Sequence, residues 1–155
     1  MVFVDDRAVL IERVDAALQS VRAPTADLFF TVIEGSCVRL RALKGSGLAV
    51  RLERLIEAGA WAEAAIALVE LEMPAWTVRR LTHEGGEWVC ALSRQPNIPI
   101  ALDDTAEGSH EDLALAILTA MVEARRRSNV VAERSRSAPP AVPSSDRMVC
   151  CDSFA

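Results

Sequence analysis

The residues best suited to chemistry lie in and just after one stretch, Pro74 to Arg94, PAWTVRRLTHEGGEWVCALSR. A cysteine nucleophile acts as its thiolate and needs a base nearby, and His83 with Cys90 is the pair this stretch offers. The Gly85-Gly86 dipeptide between β-compatible residues reads as a two-residue hairpin turn. In that register Glu84 faces Glu87, His83 faces Trp88 and Leu81 faces Cys90, so His83 and Cys90 lie diagonally on one face. The structural reading competes with the catalytic one. His83 stands at the mouth of the turn, where water solvates it, and a mid-strand Cys90 packs as a small hydrophobe. We take the structural reading and keep a cysteine-dependent hydrolase as an alternative.

A second group, Asp103, Asp104 and His110 with Glu107, Glu111 and Asp112, has the oxygen-rich character that holds a hard cation. Loop positions and first-turn capping account for the same residues, so no metal is assigned. Cys37 and Cys90 stand alone in apolar patterns, Cys150 and Cys151 are adjacent, and no C-x-x-C spacing is present. Without a phosphate-cradling loop either, no cofactor is expected.

A third group is basic. Arg79, Arg80 and Arg94 could meet nucleic acid on the outer face of the hairpin, and Trp76 or Trp88 could stack a base, although tryptophans on a strand are core as a rule. Charge argues against that partner: the first 124 residues carry 11 basic and 19 acidic side chains, and the excess of arginine falls in the carboxyl-terminal segment. Of the 17 basic residues Lys44 alone is lysine, an Arg and Ala bias that matches a GC-rich bacterial genome.

These residues need elements to position them. An isolated hairpin is marginal in water, so helices must cover it. With a bulge at Arg79 and Arg80, the side chains of Trp76, Val78, Leu81, Trp88, Cys90 and Leu92 form one apolar face; a three-residue loop would put Arg80 and Thr82 there instead. The alternation of Ile98, Ile100 and Leu102 predicts a short third strand, confined to an edge by Pro99. Ser109 and Asp112 form a capping pair before LALAILTAMVEARRR, the strongest helical pattern in the chain.

Upstream, Val9, Leu10, Val14, Ala17, Leu18 and Val21 recur at helical spacing between Asp5 and Val21. Residues 25–44 suit either a helix, with Thr25 as N-cap and Gly35 as its weak point, or a strand through Phe29 to Ile33; helix is chosen. Two further helices follow, one with Leu48, Leu52, Leu55 and Ile56 on its inner face and Gly59 at its end. The other has an inner row of Trp61, Ala65, Leu68 and Leu71 and stops at Pro74. Beyond Ser128 the chain is rich in Ser, Pro and Arg without apolar period, and is expected to be disordered.

The order W76-x-V78, EGGEW, a polar loop, then DT and HEDLALAILTAMVEA resembles small uncharacterised alphaproteobacterial proteins. More weakly it is similar to phage-type alpha-beta-alpha sandwich domains, over roughly residues 51–127. That resemblance implies a helix-covered hairpin and no established activity, so it contributes no site residue.

The expected fold is α+β: a helical amino-terminal half, then a small antiparallel hairpin or three-stranded sheet packed against a long apolar helix. The expected organisation is a helical extension over 1–46, an α-α-β-β-(β)-α core over 47–127 and a disordered tail over 128–155. The most apolar run, Leu113 to Val122, is half the ~20 residues a membrane span needs, so no membrane partner is expected. Acids stand where a secretory signal would carry bases, so a cytoplasmic location is expected. A non-enzymatic protein-interaction or regulatory module follows, with a protein partner or a homo-oligomer. A nucleic-acid-associated accessory protein, using the arginines of hairpin and tail, is the alternative that is not favoured.

Overall fold

The structure, a computed structural model, describes residues 6–137, and its hairpin forms where the paired glycines place it. Gly85 and Gly86 have φ of 63° and 90°, left-handed values that a two-residue turn requires and that glycine takes without strain. Strands β1 (Thr77–Glu84) and β2 (Glu87–Ser93) pair with Glu84 opposite Glu87, His83 opposite Trp88 and Leu81 opposite Cys90, as the two-residue turn predicts. The expected bulge is also present. Pairing shifts between Val78 and Arg80, which leaves Arg79 as the extra residue.

The third strand is not where the Ile98, Ile100, Leu102 alternation predicts it. Strand β3 is Ala106–His110, antiparallel to β2 in a sheet ordered β1-β2-β3. Ile100–Leu102 form a single 3-10 turn, with Ile100 58% and Leu102 75% exposed. The sequence AEGSH has no strand-like apolar pattern because close packing demands small side chains there. Cys90 pairs with Gly108 and Leu92 with Ala106, on the face covered by helix α6 (Leu113–Ser137). A Cβ on Gly108 would stand 2.3 Å from the amide nitrogen of Ala120 and 2.7 Å from the carbonyl oxygen of Ala116, so strand and helix meet backbone to backbone.

Because α6 lies over β2 and β3, the expected single apolar face is covered unevenly. Trp76, Cys90 and Leu92 are buried, whereas Val78 and Leu81 on β1 keep 40% and 38% of their surface. The cap on α6 also differs from the Ser109–Asp112 pair. Ser109 belongs to β3, and Asp112 alone accepts from the amides of Ala114 (2.8 Å) and Leu115 (3.1 Å). Helix α6 runs to Ser137, past the Ser128 boundary expected for disorder; residues 138–155 of that expected tail lie outside the described residues.

The amino-terminal half is helical throughout: α1 (Asp6–Ser20), α2 (Ala26–Ser36), α3 (Val38–Ala42), α4 (Gly47–Glu57) and α5 (Trp61–Glu72). Thr25 caps α2 by accepting from Leu28 N at 3.2 Å. The continuous stripe expected from Phe29 to Lys44 breaks at Cys37, whose φ and ψ of −104° and 93° are extended. Gly35, inside α2, is also a contact point, since a Cβ there would lie 2.5 Å from Cγ2 of Val14 on α1. On α4 the inner face is Ala49, Leu52 and Ile56, and Leu48 is turned outward at 58% exposure. Phe29 stacks on Trp61 with ring centroids 5.6 Å apart. One buried cluster runs through all of this, from Ile11, Val14 and Leu18 through Phe29, Leu52 and Leu68 to Leu92, Leu115 and Ile117.

Two glycine substitutions separate the turn from the strand–helix contact. Replacing Gly85 and Gly86 together with Ala strains the turn and is expected to cost about 1–3 kcal/mol. Gly108→Ala forces β3 off α6, at a cost of about 1–3 kcal/mol or more for overpacking. Urea midpoints for each variant check both, and a wild-type midpoint for Gly108→Ala would contradict the backbone contact.

Candidate functional site

The hairpin holds its two reactive candidates in different environments. His83 is exposed beside the ring of Trp88, with centroids 4.8 Å apart and planes inclined at 49°. Cys90 has no exposed surface, and it shares the face that α6 covers with its neighbour Gly108. Burial pushes its thiol up to about 11 from the ordinary 9.0, the opposite of what a nucleophile requires. No hydrogen bond joins His83 to Cys90. Cys37 is similarly placed: burial, followed by the charge of Glu72, pushes its thiol up to about 12.

Asp103, Asp104 and His110 are drawn apart. Asp103 is buried in an ion pair with Arg79, while Asp104 pairs with Arg127 on α6. His110 uses both ring nitrogens locally. Nδ1 accepts from the amide of Asp112 at 2.9 Å, which leaves Nε2–H to donate to the carbonyl of Val21 at 3.1 Å. The ring thereby ties the end of α1 to the start of α6. Among the described residues, no three His, Cys, Asp or Glu side chains converge as metal ligands would.

The three hairpin arginines also have partners. The bulge turns Arg79 toward the segment after β2, where it donates to the carbonyls of Gln95 (3.3 Å) and Ile98 as well as to Asp103. Arg80 reaches Glu107 at 3.7 Å across the outer face of the sheet. Between them stands Ala91, paired with both residues and small enough for the bridge to cross. Arg94 lies over the ring of Trp76, 5.2 Å from its centroid, a cation–π contact.

Sequence reasoning missed the group on which the helical half is built. Glu72 is buried, with no side-chain exposure; its carboxylate accepts from the amide of Leu40 and from Nη2 of Arg125 at 2.8 Å. The carboxylate thus caps the amino end of α3 from another helix, where Cys37 provides no side-chain cap of its own. A signal was present: Glu72 follows Ala65 and Leu68 by seven and four residues, which puts a carboxylate in the inward row of α5.

With α3 so fixed, an open groove of about 310 Å³ lies between α2, α3 and α4. Ala49, Leu52 and Ile56 form its floor and Phe30, Ile33 and Leu40 its walls. Arg41 and Lys44 line it from α3 and the turn after it, Glu34 from α2 and Glu53 from α4. Phe30 is 51% exposed, a large apolar surface for a side chain that packing could have covered.

The raised thiols carry a sign. The folded chain keeps protons on Cys37 and Cys90 that the unfolded chain releases near pH 9, so their contribution to stability is complete below pH 9. It is lost as pH rises through the folded values of about 11 and 12. A Cys37→Ala, Cys90→Ala double variant should lose stability less steeply than wild type above pH 9 in urea titrations. In the folded protein at pH 8 both thiols should resist a thiol reagent until denaturant is added. Rapid labelling of Cys90, slowed by His83→Ala, would contradict this and restore the catalytic pair. No protein-family model matches this chain, and no curated protein or solved structure matches it.

Proposed function

We propose that this chain is a non-enzymatic protein-interaction module that takes an amphipathic helix of a partner protein into the groove between α2, α3 and α4. The observation that carries the reading is the apolar groove itself, with half-exposed Phe30 on its wall and charged residues of both signs in its lining. Helix-in-groove recognition uses such a surface, with apolar anchors at i, i+3 or i+4 and i+7 seated on the floor. Charge defines the occupant further: its polar face carries acids to meet Arg41 and Lys44 and bases to meet Glu34 and Glu53. The nucleic-acid alternative is weakened because Arg79, Arg80 and Arg94 each engage a partner within the fold. We place the protein in the cytoplasm. Among the described residues no helix is long and apolar enough to cross a membrane, and the free buried thiols Cys37 and Cys90 suit a reducing compartment.

Selection from a displayed library of amphipathic helical peptides tests the reading. Peptides with an apolar face and a polar face that carries both acids and bases should be enriched. Phe30→Glu, at an exposed position, should weaken their binding at least tenfold, the effect of losing about 1.4 kcal/mol, without changing the thermal midpoint. Peptides that bind Phe30→Glu as well as wild type would contradict it. So would sedimentation showing a wild-type dimer that Phe30→Glu converts to monomer, since the occupant would then be a second copy of this chain.

A further inference from the structure

Strand β1 forms an open edge of the sheet. A two-residue turn makes Glu84 and Glu87 a hydrogen-bonded pair, and such pairs alternate with non-bonded ones along an antiparallel ladder. The backbone groups of Glu84, Thr82 and Arg80 therefore turn toward β2, while those of Leu81 and His83 turn outward. No described strand or loop pairs with these outward groups, and a strand edge left in this state is a template for another strand. The opposite edge is less open, because β3 is shorter and its end is tied to the end of α1 through His110.

The side chains along this edge are incomplete as well. Arg80, Thr82 and Glu84 share the outer face, where Glu84 stands directly opposite Glu87, a like-charge pair that costs stability. No basic side chain among the described residues pairs with either carboxylate. Arg80 reaches Glu107 only at 3.7 Å, too long for a hydrogen bond, with the two side chains 48% and 52% exposed, so its donors remain open to a further acceptor. On the other face Leu81 is left partly bare, because α6 lies over β2 and β3.

We propose that β1 pairs antiparallel with β1 of a second copy of this chain, about a two-fold axis at Thr82, so that two three-stranded sheets become one. In that register Leu81 exchanges backbone hydrogen bonds with His83 of the second copy, and Arg80 faces Glu84 of the second copy. The two-fold repeats each contact, so both Glu84 carboxylates gain a cation. Leu81 meets its own equivalent diagonally across the axis, on the face that α6 leaves bare. A slip to the next equivalent register in either direction sets a charge against Thr82, and one further sets Arg80 or Glu84 against itself. Charge thus selects a single register and a second copy as the occupant. The interface is separate from the groove between α2, α3 and α4 and stands whether or not a helix binds there.

Sedimentation of the full chain should show a monomer–dimer equilibrium that Phe30→Glu does not alter. Arg80→Glu and Glu84→Arg, both at exposed positions, should each weaken the dimer at least tenfold. An equimolar mixture of the two variants should restore it as a heterodimer, since every facing pair across the axis then has opposite charge. Cross-linking tests the register without altering charge. Facing Thr82 residues would form a non-hydrogen-bonded pair with Cα atoms about 4.5 Å apart, within the span of a disulfide. In a Cys150→Ser, Cys151→Ser background, Thr82→Cys should therefore give a disulfide-linked dimer on mild oxidation, and Thr77→Cys, on the far side of the bulge, should not. The proposal is overturned if the wild-type chain stays monomeric up to about 1 mM, weaker than any affinity of functional use. It is overturned equally by a dimer that neither charge reversal weakens, by a mixture that remains monomeric, or by Thr77→Cys cross-linking as readily as Thr82→Cys.

Discussion

The helical half of this protein depends on one buried carboxylate. Removing a carboxylate from water costs several kcal/mol unless its oxygens are matched, and Glu72 is matched on both: Oε1 by the amide of Leu40, Oε2 by the guanidinium of Arg125. Helix α3 has five residues and no side-chain cap of its own, too few to persist unaided. Fixed by Glu72, it becomes a wall with a cavity on each side. Toward α4 lies the apolar groove, and toward α1 and α6 an arginine-lined cavity. The extended residue Cys37 makes this arrangement possible, because an unbroken helix from Ala26 to Ala42 would carry α3 along the axis of α2.

The sheet obeys a different constraint, the distance at which a strand can approach a helix. Gly108 lies on the backbone of α6 at Ala116 and Ala120, and the i, i+4 row of Ala116, Ala120 and Ala124 keeps that surface low. Strand β1 projects beyond the shelter of α6, which is why Val78 and Leu81 stay partly exposed while Cys90 and Leu92 do not. The bulge then serves a positional role. By turning Arg79 out of the ladder it anchors the segment between β2 and β3 through two carbonyls and Asp103.

Local signals in the sequence were read correctly where the backbone dictates the residue. Paired glycines specified the turn and register, Thr25 and Gly59 marked helix ends, and the single apolar face that a bulge at Arg79 and Arg80 creates anticipated the bulge. What the sequence concealed was tertiary. A strand written AEGSH is selected for smallness against α6, so its pattern is silent, while the louder alternation of Ile98, Ile100 and Leu102 belongs to an exposed turn. Glu72 lies in the inward row of α5, but its meaning requires Leu40 and Arg125, 32 and 53 residues away. The candidate residues were misleading for a related reason. Thiol, imidazole and carboxylates were present at suggestive spacing, and the fold gave Cys90 to the core and Asp103, Asp104 and His110 to separate structural contacts.

The central claim is that Glu72 fixes α3 and so builds both cavities, and amide hydrogen exchange at Leu40 tests it most directly. With its N–H donating to a buried carboxylate, Leu40 should exchange in the wild-type protein as slowly as the core amides of α5. In Glu72→Gln, where the carboxylate is lost and Arg125 is left unpaired, the amides of α3 should exchange faster by orders of magnitude while those of β2 change less. A Leu40 amide that exchanges in the wild-type protein at the rate of an unstructured peptide would contradict the account.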